Sequence, residues 1–178
     1  MNTYTLNVAG LTRELPLCPV NDRVEIAAFI MFSDTELTEA CAKALVEKLP
    51  EFDVILTAES KGIPLAYEVA RMTGKNYLVA RKSIKIYMTD PIEAKVNSIT
   101  TRAEQTLYLS GEDAACIKGK NVLILDDVIS TGETLTAMKI LVEEAGGTIA
   151  AKAAAVAEGT AADRHDIIFL EKLPIFII

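Results

Sequence analysis

Apolar and polar residues alternate over the first twenty positions, and the alternation is interrupted at Ala9–Gly10. A period of two is typical of strands with one buried face, so this segment predicts an N-terminal β-hairpin. Ser33, with Glu36 three residues later, fits a capping box at the start of a helix. Apolar residues then follow at helical spacing and predict a helix that ends near Leu49.

From Asp53 onward, short apolar runs alternate with helical patterns. The runs are DVILTA, YLVAR, VLILD and IAAKAAAVA, and DIIFL and LPIFII close the chain. Pro64 early in the first intervening helix and Gly74 at its end fit helix boundaries, and a second helix is predicted from Glu133 to Glu144. Apolar strands separated by helices predict an α/β fold, with a parallel sheet covered on both faces. In such sheets, ligands bind at the carboxyl ends of the strands.

The strand end with the most distinctive chemistry is VLILDDVISTGET. Asp126 and Asp127 follow the apolar run, and a loop with three hydroxyls and a glycine opens the next helix: Ser130, Thr131, Gly132 and Thr134. Free N–H groups at a helix start, approached closely through glycine, form a cradle for a monophosphate. The carboxylates suit the hydroxyls of a sugar or a hydrated magnesium ion. The motif therefore indicates a sugar phosphate, against the plainer alternative of a capped strand and helix.

Two further strand ends carry charge. The first contains Glu59, Ser60, Lys61 and Gly62, and the second contains Arg81, Lys82 and Lys85. Both sets suit phosphate or pyrophosphate oxygens, although an ordinary strand–helix turn and a solvated basic surface are the alternatives. Residues 83–106 then form a long excursion with alternating polarity. Excursions of this length are commonly lids, so a two-stranded flap is predicted.

Composition narrows the range of functions. With 178 residues and 51% hydrophobic content, the chain is expected to form a single domain. A net charge of -7 argues against nucleic acid or an anionic membrane as a partner. Cys18, Cys41 and Cys116 fit free thiols in a reducing compartment, and His165, the only histidine, excludes a His-rich metal site. The start lacks the features of a signal peptide, and no apolar run reaches the length of a membrane span, so a cytoplasmic protein is expected.

Together these motifs resemble those of the type I phosphoribosyltransferases. VLILDDVISTGET is similar at every position to the family's phosphoribosyl-pyrophosphate signature, and the resemblance runs from about Leu6 to Ile178. It implies the family's parallel-sheet fold, with an N-terminal β-hairpin and base-covering segment over residues 1–33 and a flexible flap. It also implies transfer of a 5-phosphoribosyl group to a base in purine salvage. Magnesium, bound mainly through phosphoribosyl pyrophosphate, and a homodimer are implied as well.

The resemblance also assigns roles to residues. Asp126 and Asp127 would hold the ribose 2- and 3-hydroxyls. The 5-phosphate would be held by Ser130, Thr131, Gly132, Glu133 (through its backbone) and Thr134. Pyrophosphate would contact the Glu59-to-Gly62 turn, namely Ser60, Lys61 and Gly62, with help from Arg81 and Lys85. In the flap, Glu104 or Thr101 would occupy the place of a carboxylate that serves the purine N7. Ile30, Met31 and Phe32 are candidates to sandwich the base, with at least one of them expected in the core.

Within the family, the chain most resembles the adenine enzymes, and the xanthine enzymes are second. It lacks an Asn that the xanthine enzymes carry near Met31, and it has Gly159 where they have Lys. It also has Ser33 where many adenine enzymes have Arg. Adenine, giving AMP and pyrophosphate, is therefore the expected acceptor, with xanthine or another 6-oxopurine as the alternative. A non-catalytic regulator that senses the donor, and an interaction module with a relic site, are the alternatives from other classes.

Overall fold

A parallel sheet forms the centre of the computed structural model, which describes residues 2–97 and 104–178. In chain order the elements are β1 (Thr3–Val8), β2 (Leu11–Asn21), β3 (Val24–Ala27), α1 (Thr35–Val46), β4 (Val54–Ala58), α2 (Ile63–Thr73), β5 (Asn76–Ala80), β6 (Ile92–Asn97), β7 (Glu104–Leu109), α3 (Gly111–Ile117), β8 (Asn121–Ile129), α4 (Glu133–Glu144), β9 (Thr148–Glu158), β10 (Ile168–Leu173) and β11 (Ile175–Ile177). The order of strands in the parallel sheet is β10-β9-β8-β4-β5. The predicted α/β class is confirmed.

Strand β8 lies at the middle of this sheet and is buried on both faces. Leu123 and Leu125 pack in the cluster that contains the apolar residues of α1 and α2. Val122 and Ile124 pack in the opposite cluster, which contains those of α4. Successive side chains of a strand point to opposite faces, so a strand covered on both sides reads as a continuous apolar run. This arrangement explains why VLIL shows no alternation.

The chain termini meet in a second, antiparallel sheet with the strand order β1-β2-β3-β11. Its first hairpin turns at Ala9 and Gly10, as predicted, and both residues have positive φ, 51° and 78°. Two successive positive φ values suit the right-handed twist of a two-residue hairpin. The last strand, β11, pairs with β3 through Ile175 and Ile26. This pairing holds the segment that follows β3 beside the carboxyl end of β10.

The start of α1 differs from the sequence-based prediction. Its N-cap is Asp34, whose carboxylate accepts a hydrogen bond from the Leu37 N–H at 3.0 Å. Arg13, on β2, holds the same carboxylate through its Nε at 2.7 Å. The predicted cap at Ser33 is therefore wrong, since a partner from a distant strand fixes the aspartate as the cap. Helix α3, which the sequence pattern did not predict, has Ser110 as its N-cap.

The predicted flap corresponds to an antiparallel hairpin of β6 and β7, paired from Ile92–Leu109 to Asn97–Glu104. It extends past the expected end at residue 106, and residues 98–103 lie outside the described part of the chain. A bridge between Arg81 and Tyr108 ties β7 to the end of β5. Within the described residues, none of the helices has the length and apolar character needed to cross a membrane.

Replacement of Ile124 by alanine tests the role of β8 as the centre of the core. Ile124 is fully buried, and deletion of such a side chain should lower the free energy of unfolding by about 2–5 kcal/mol, because a cavity remains. Urea denaturation followed by circular dichroism measures the change. Ile177→Ala is the matched control, since Ile177 is 87% exposed and its change should stay within about 0.5 kcal/mol. Equal losses in the two variants would contradict this assignment of the core.

Candidate active site

A cavity of about 480 Å³ opens at the carboxyl ends of the parallel strands. Its lining follows the order of the strands across the sheet. At one side it is apolar, in the middle it carries carboxylates and hydroxyls from the end of β8, and at the other side it carries Lys61 and Lys82. Ligands of parallel α/β sheets bind at this edge. The predicted site is therefore located where the strand order requires it.

Two adjacent carboxylates form the middle of the cavity. The Asp127 N–H donates to Asp126 Oδ1 at 2.9 Å. Asp127 is almost fully buried, and its Oδ2 has no hydrogen-bond partner among the described residues. Lys61 Nζ lies 4.0 Å from that oxygen, close enough for attraction but not for a hydrogen bond. Burial, and then the charge of Asp127, raise the pKa of Asp126 well above its ordinary value. The pair offers unused acceptors to a ligand that carries hydroxyls or positive charge.

The loop between β8 and α4 forms the second component of the site. Gly132 is the N-cap of α4, with φ +84° and no side-chain capping bond. Side-chain caps normally use the free N–H groups of a first helical turn, so here these groups remain available to a bound anion. Ser130 Oγ donates to Glu158 Oε2 at 2.7 Å, and Gln105 Nε2 donates to Thr134 Oγ1 at 3.0 Å. A smaller cavity of about 110 Å³ opens onto this loop, and its lining includes Thr131, Gly132, Glu133 and Thr134.

The end of β4 brings the other charged groups together. Glu59 accepts hydrogen bonds from the Lys82 N–H at 2.9 Å and from Arg81 Nε at 3.2 Å. These bonds, that of Lys82 first, lower the pKa of Glu59. Arg81 is thus engaged by Glu59, and Lys85 Nζ donates to Ser83 Oγ at 2.6 Å. Neither lines the cavity, whereas Lys82 does, a member of the same basic set to which the resemblance assigned no role.

Gly62 allows the turn after β4 to approach the carboxylate pair. A Cβ at this position would lie 2.6 Å from Thr57 Oγ1 and 2.7 Å from Asp126 Oδ1. No side chain fits at those distances, so glycine is required for the Ser60–Lys61 backbone to pack beside β8. Ser60 and Lys61 line the same cavity as Asp126 as a result.

The apolar side of the cavity differs in detail from the expected base-covering segment. Ile30 lines the cavity, together with residues 26–29 and Leu173. Met31 is only 1% exposed and belongs to the core, as expected for one of the three candidates. Phe32 lines a separate groove with Tyr67. VEIAAFI contains a single polar residue, Glu25, so no alternation in the sequence marked the extra lining residues.

The flap candidates are only partly located. Glu104 begins β7, but its side chain and the whole of Thr101 lie outside the described residues. Gln105, the next residue of β7, lines the cavity and donates a hydrogen bond to Thr134 in the first turn of α4. Among residues 2–97 and 104–178, no group of three or more His, Cys, Asp and Glu side chains is placed to hold a metal ion.

Comparisons with known proteins agree with this geometry. Residues 33–177 match the family model of the phosphoribosyl transferase domain. The chain is 34% identical over 143 residues to a hypoxanthine/guanine phosphoribosyltransferase of Methanothermococcus okinawensis, covering 76% of this chain and 74% of that protein. It is 32% identical over 148 residues to an adenine phosphoribosyltransferase of Acetivibrio thermocellus, covering 81% and 83% respectively.

A solved structure shares the fold. The crystal structure of adenine phosphoribosyltransferase from Thermoanaerobacter pseudethanolicus has a TM-score of 0.74, with 21% sequence identity, and the match covers 89% of this chain and 95% of that one. This likeness shows that the fold is the one that the sequence resemblance implied.

The raised pKa of Asp126 predicts that ionisation of this carboxyl group, which the site needs, lowers the stability of the folded protein. Because the folded state binds the proton more tightly than the unfolded chain does, the wild-type protein loses stability as the pH rises from the ordinary aspartate pKa through the raised one. Asp126→Asn should therefore be more stable than the wild type at neutral pH. The difference should vanish below about pH 4.

Thermal unfolding of both proteins between acid and neutral pH measures this difference. Asp22→Asn is the control, since Asp22 is exposed in the turn between β2 and β3. A stability difference at position 126 that is the same at every pH would refute the assignment.

Proposed function

The chain belongs to the phosphoribosyl transferase domain family, and from this premise we propose that it is a purine phosphoribosyltransferase whose preferred acceptor is adenine. In this reaction the 5-phosphoribosyl group of phosphoribosyl pyrophosphate is transferred to adenine, giving AMP and pyrophosphate. The observation that carries the proposal is the order of groups in one cavity: an apolar side, a carboxylate pair with a hydroxyl loop, and a lysine side. The parts of the two substrates require that order.

The donor fits the middle and the lysine side of the cavity. Ribose hydroxyls are hydrogen-bond donors, and Asp127 Oδ2 is a buried acceptor without a partner in the described structure. The free N–H groups at Gly132 and the hydroxyls of the α4 loop suit the 5-phosphate. Lys61 and Lys82 suit the pyrophosphate. For Arg81 and Lys85 to serve pyrophosphate as well, they would have to leave Glu59 and Ser83.

Magnesium fits the chemistry of this cavity as an ion that arrives mainly with the donor. The oxygen acceptors Asp126 and Asp127 suit a hydrated Mg²⁺, which prefers oxygen ligands and keeps several waters. The bound ion would supply positive charge to the leaving pyrophosphate.

In the proposed reaction, the residues of the chain position the two substrates and stabilise the charges that develop in the transition state. Purine N9 forms the new bond to C1 of the ribose as the bond from C1 to pyrophosphate breaks, and the sugar passes through a transition state with positive charge. Asp126 and Asp127 place negative charge next to that sugar, and Lys61 and Lys82 stabilise the departing anion. Holding base and donor in one cavity removes much of the entropic cost of their meeting. The side chain of Glu104 is the predicted partner of the purine N7 proton.

The apolar side of the cavity supports adenine as the base. Ile26, Ala28 and Ile30 are the accessible apolar residues of this side and provide surface for a flat ring, and the buried Phe29 and Leu173 lie beneath them. Glu158, beside them at the end of β9, is an acceptor that suits the 6-amino group of adenine. A 6-oxo group needs a donor, and none of the described residues on this side supplies one from its side chain.

Guanine and hypoxanthine are the second candidates, because a specific observation favours them. The same Glu158 carboxylate could accept from the N1–H and the 2-amino group of guanine in a bidentate arrangement. Several curated relatives are hypoxanthine/guanine enzymes.

A screen of purines tests the substrate. With phosphoribosyl pyrophosphate and magnesium, adenine should give AMP with a kcat/KM at least about tenfold above that of guanine, hypoxanthine or xanthine. Liquid chromatography of the nucleotide products measures each rate. Faster turnover of a 6-oxopurine would overturn the adenine assignment but keep the enzyme class. Tight binding of the donor without turnover of any purine would favour a sensor or a relic site.

The predicted homodimer is tested separately, by sedimentation of the same sample.

Replacement of both carboxylates tests the reaction itself. Asp126→Asn combined with Asp127→Asn should lower kcat/KM for the donor by about 10³-fold or more, because transition-state charge and two sugar contacts are lost together. Circular dichroism should show an intact fold. The exposed Asp22→Asn variant should match the wild type. Near-normal rates in the double variant would remove these residues from the mechanism.

A further inference from the structure

Arg164 lies behind the loop that precedes α4, although it follows Gly132 of that loop by 32 positions in the sequence. It follows the 3-10 turn Gly159–Asp163, which comes directly after β9. Its Nη1 lies 2.8 Å from the place that a Cβ on Gly132 would occupy. The guanidinium therefore packs against the one residue of the loop that has no side chain.

A neighbouring carboxylate fixes the orientation of this guanidinium. Asp166 Oδ1 accepts from Arg164 Nε at 2.9 Å, and Asp166 Oδ2 accepts from Nη2 at 2.8 Å. Lys152 Nζ, from β9, donates to the same Oδ2. The bonds from Arg164 and then Lys152 hold the pKa of Asp166 well below its ordinary value. Asp166 is therefore ionised at neutral pH, and the three side chains together carry one net positive charge.

This orientation leaves Nη1 available. Asp166 engages Nε and Nη2, and no acceptor for Nη1 is found among the described residues. The fork of a guanidinium is rigid, so anchoring of one edge determines where the remaining N–H groups are directed. Here the free corner lies at Gly132.

The loop needs such a cation. Its own residues contribute no positive side chain, Glu133 adds a negative charge to the first turn of α4, and Glu158 is hydrogen-bonded to Ser130. A phosphate monoester that binds between these carboxylates meets repulsion that backbone N–H groups must overcome. A fixed guanidinium behind the loop opposes that repulsion, and the effect is stronger at this partly buried position than in water.

We propose that Arg164 is a positioning residue for the 5-phosphate of the donor: it braces the loop at Gly132 and supplies positive charge there, while Asp166 and Lys152 hold it in place. The proposal rests on the proposed function for the identity of the phosphate ligand. Arg164 acts through the loop and the electric field, since it does not line the cavity itself.

Two ligands that occupy different parts of the cavity provide the test. Arg164→Met keeps much of the length of the side chain but removes the charge. We expect ribose 5-phosphate, measured by titration calorimetry at low ionic strength, to bind about tenfold more weakly to this variant. Pyrophosphate, which is predicted to bind on the lysine side, should bind as to the wild type. The ribose 5-phosphate difference should shrink at high salt, because screening weakens a charge effect but not a packing effect.

Kinetic constants and further variants distinguish weaker donor binding from a general loss of activity. The KM for phosphoribosyl pyrophosphate should rise about tenfold in Arg164→Met, with kcat and the KM for the purine little changed. Arg164→Lys should retain part of the affinity, because it keeps the charge but loses the two-bond pair with Asp166. Arg71→Met is the matched control, because Arg71 makes a similar two-bond pair with Glu68 and lies outside the cavity lining.

Each outcome decides the proposal. Unchanged binding of ribose 5-phosphate, or equal weakening of ribose 5-phosphate and pyrophosphate, would overturn it. If Arg164→Met does not fold, Arg164→Gln, which also removes the charge, and the salt dependence of its affinity for ribose 5-phosphate decide in the same way. A third outcome separates the two proposals. If the wild type binds ribose 5-phosphate more tightly than Arg164→Met but converts no purine, the proposed function is overturned and this inference stands.

Discussion

The burial of two adjacent carboxylates at the end of β8 is the constraint on which the rest of the site depends. An ionised group loses its hydration when it is buried, and a second charge next to it adds repulsion, so the pair is unfavourable for the folded state. The raised pKa of Asp126 is the sign of that cost. The structure offsets part of it through the Asp127 N–H and through Lys61, 4.0 Å from Asp127 Oδ2. Among the described residues no partner compensates the pair fully, and that deficit leaves it able to bind a ligand.

The surrounding architecture follows from holding this pair in place. Strand β8 can be buried on both faces because helices cover both sides of the sheet, and its apolar residues divide between two core clusters. Gly62 lets the turn after β4 approach Asp126, which places Lys61 within reach. Cations therefore lie on the β4–β5 side and apolar groups on the β9–β10 side. This separation orders the cavity from an apolar side to a cationic side, and a ligand that contacts both sides must place its middle part at the carboxylate pair.

Local sequence was sufficient to predict the part of the site that one strand end builds. Asp126 to Thr134 are contiguous, so their spacing alone places the carboxylates and the loop at the start of α4. Contacts between distant segments were not predictable in this way. Arg81 is engaged by Glu59, 22 residues earlier, and Asp34 became the cap of α1 because Arg13 reaches it from β2. Nothing in the pattern around Arg164 connects it with Gly132, since only the fold brings the end of β9 beside α4.

The same reasoning explains why the donor is easier to identify than the base. The apolar side of the cavity, which the proposed function assigns to the base, is assembled from the segment after β3 and the ends of β9 and β10. Strand β11 joins these parts by pairing with β3. The polar group of this side, Glu158, accepts the hydrogen of Ser130. A hydroxyl has one hydrogen to donate, so a phosphate that takes it from Ser130 leaves Glu158 with an unused acceptor at the base side. Under the proposed function, the base is therefore recognised by a carboxylate whose hydrogen bonding depends on the donor, and this dependence could not be deduced from either motif alone.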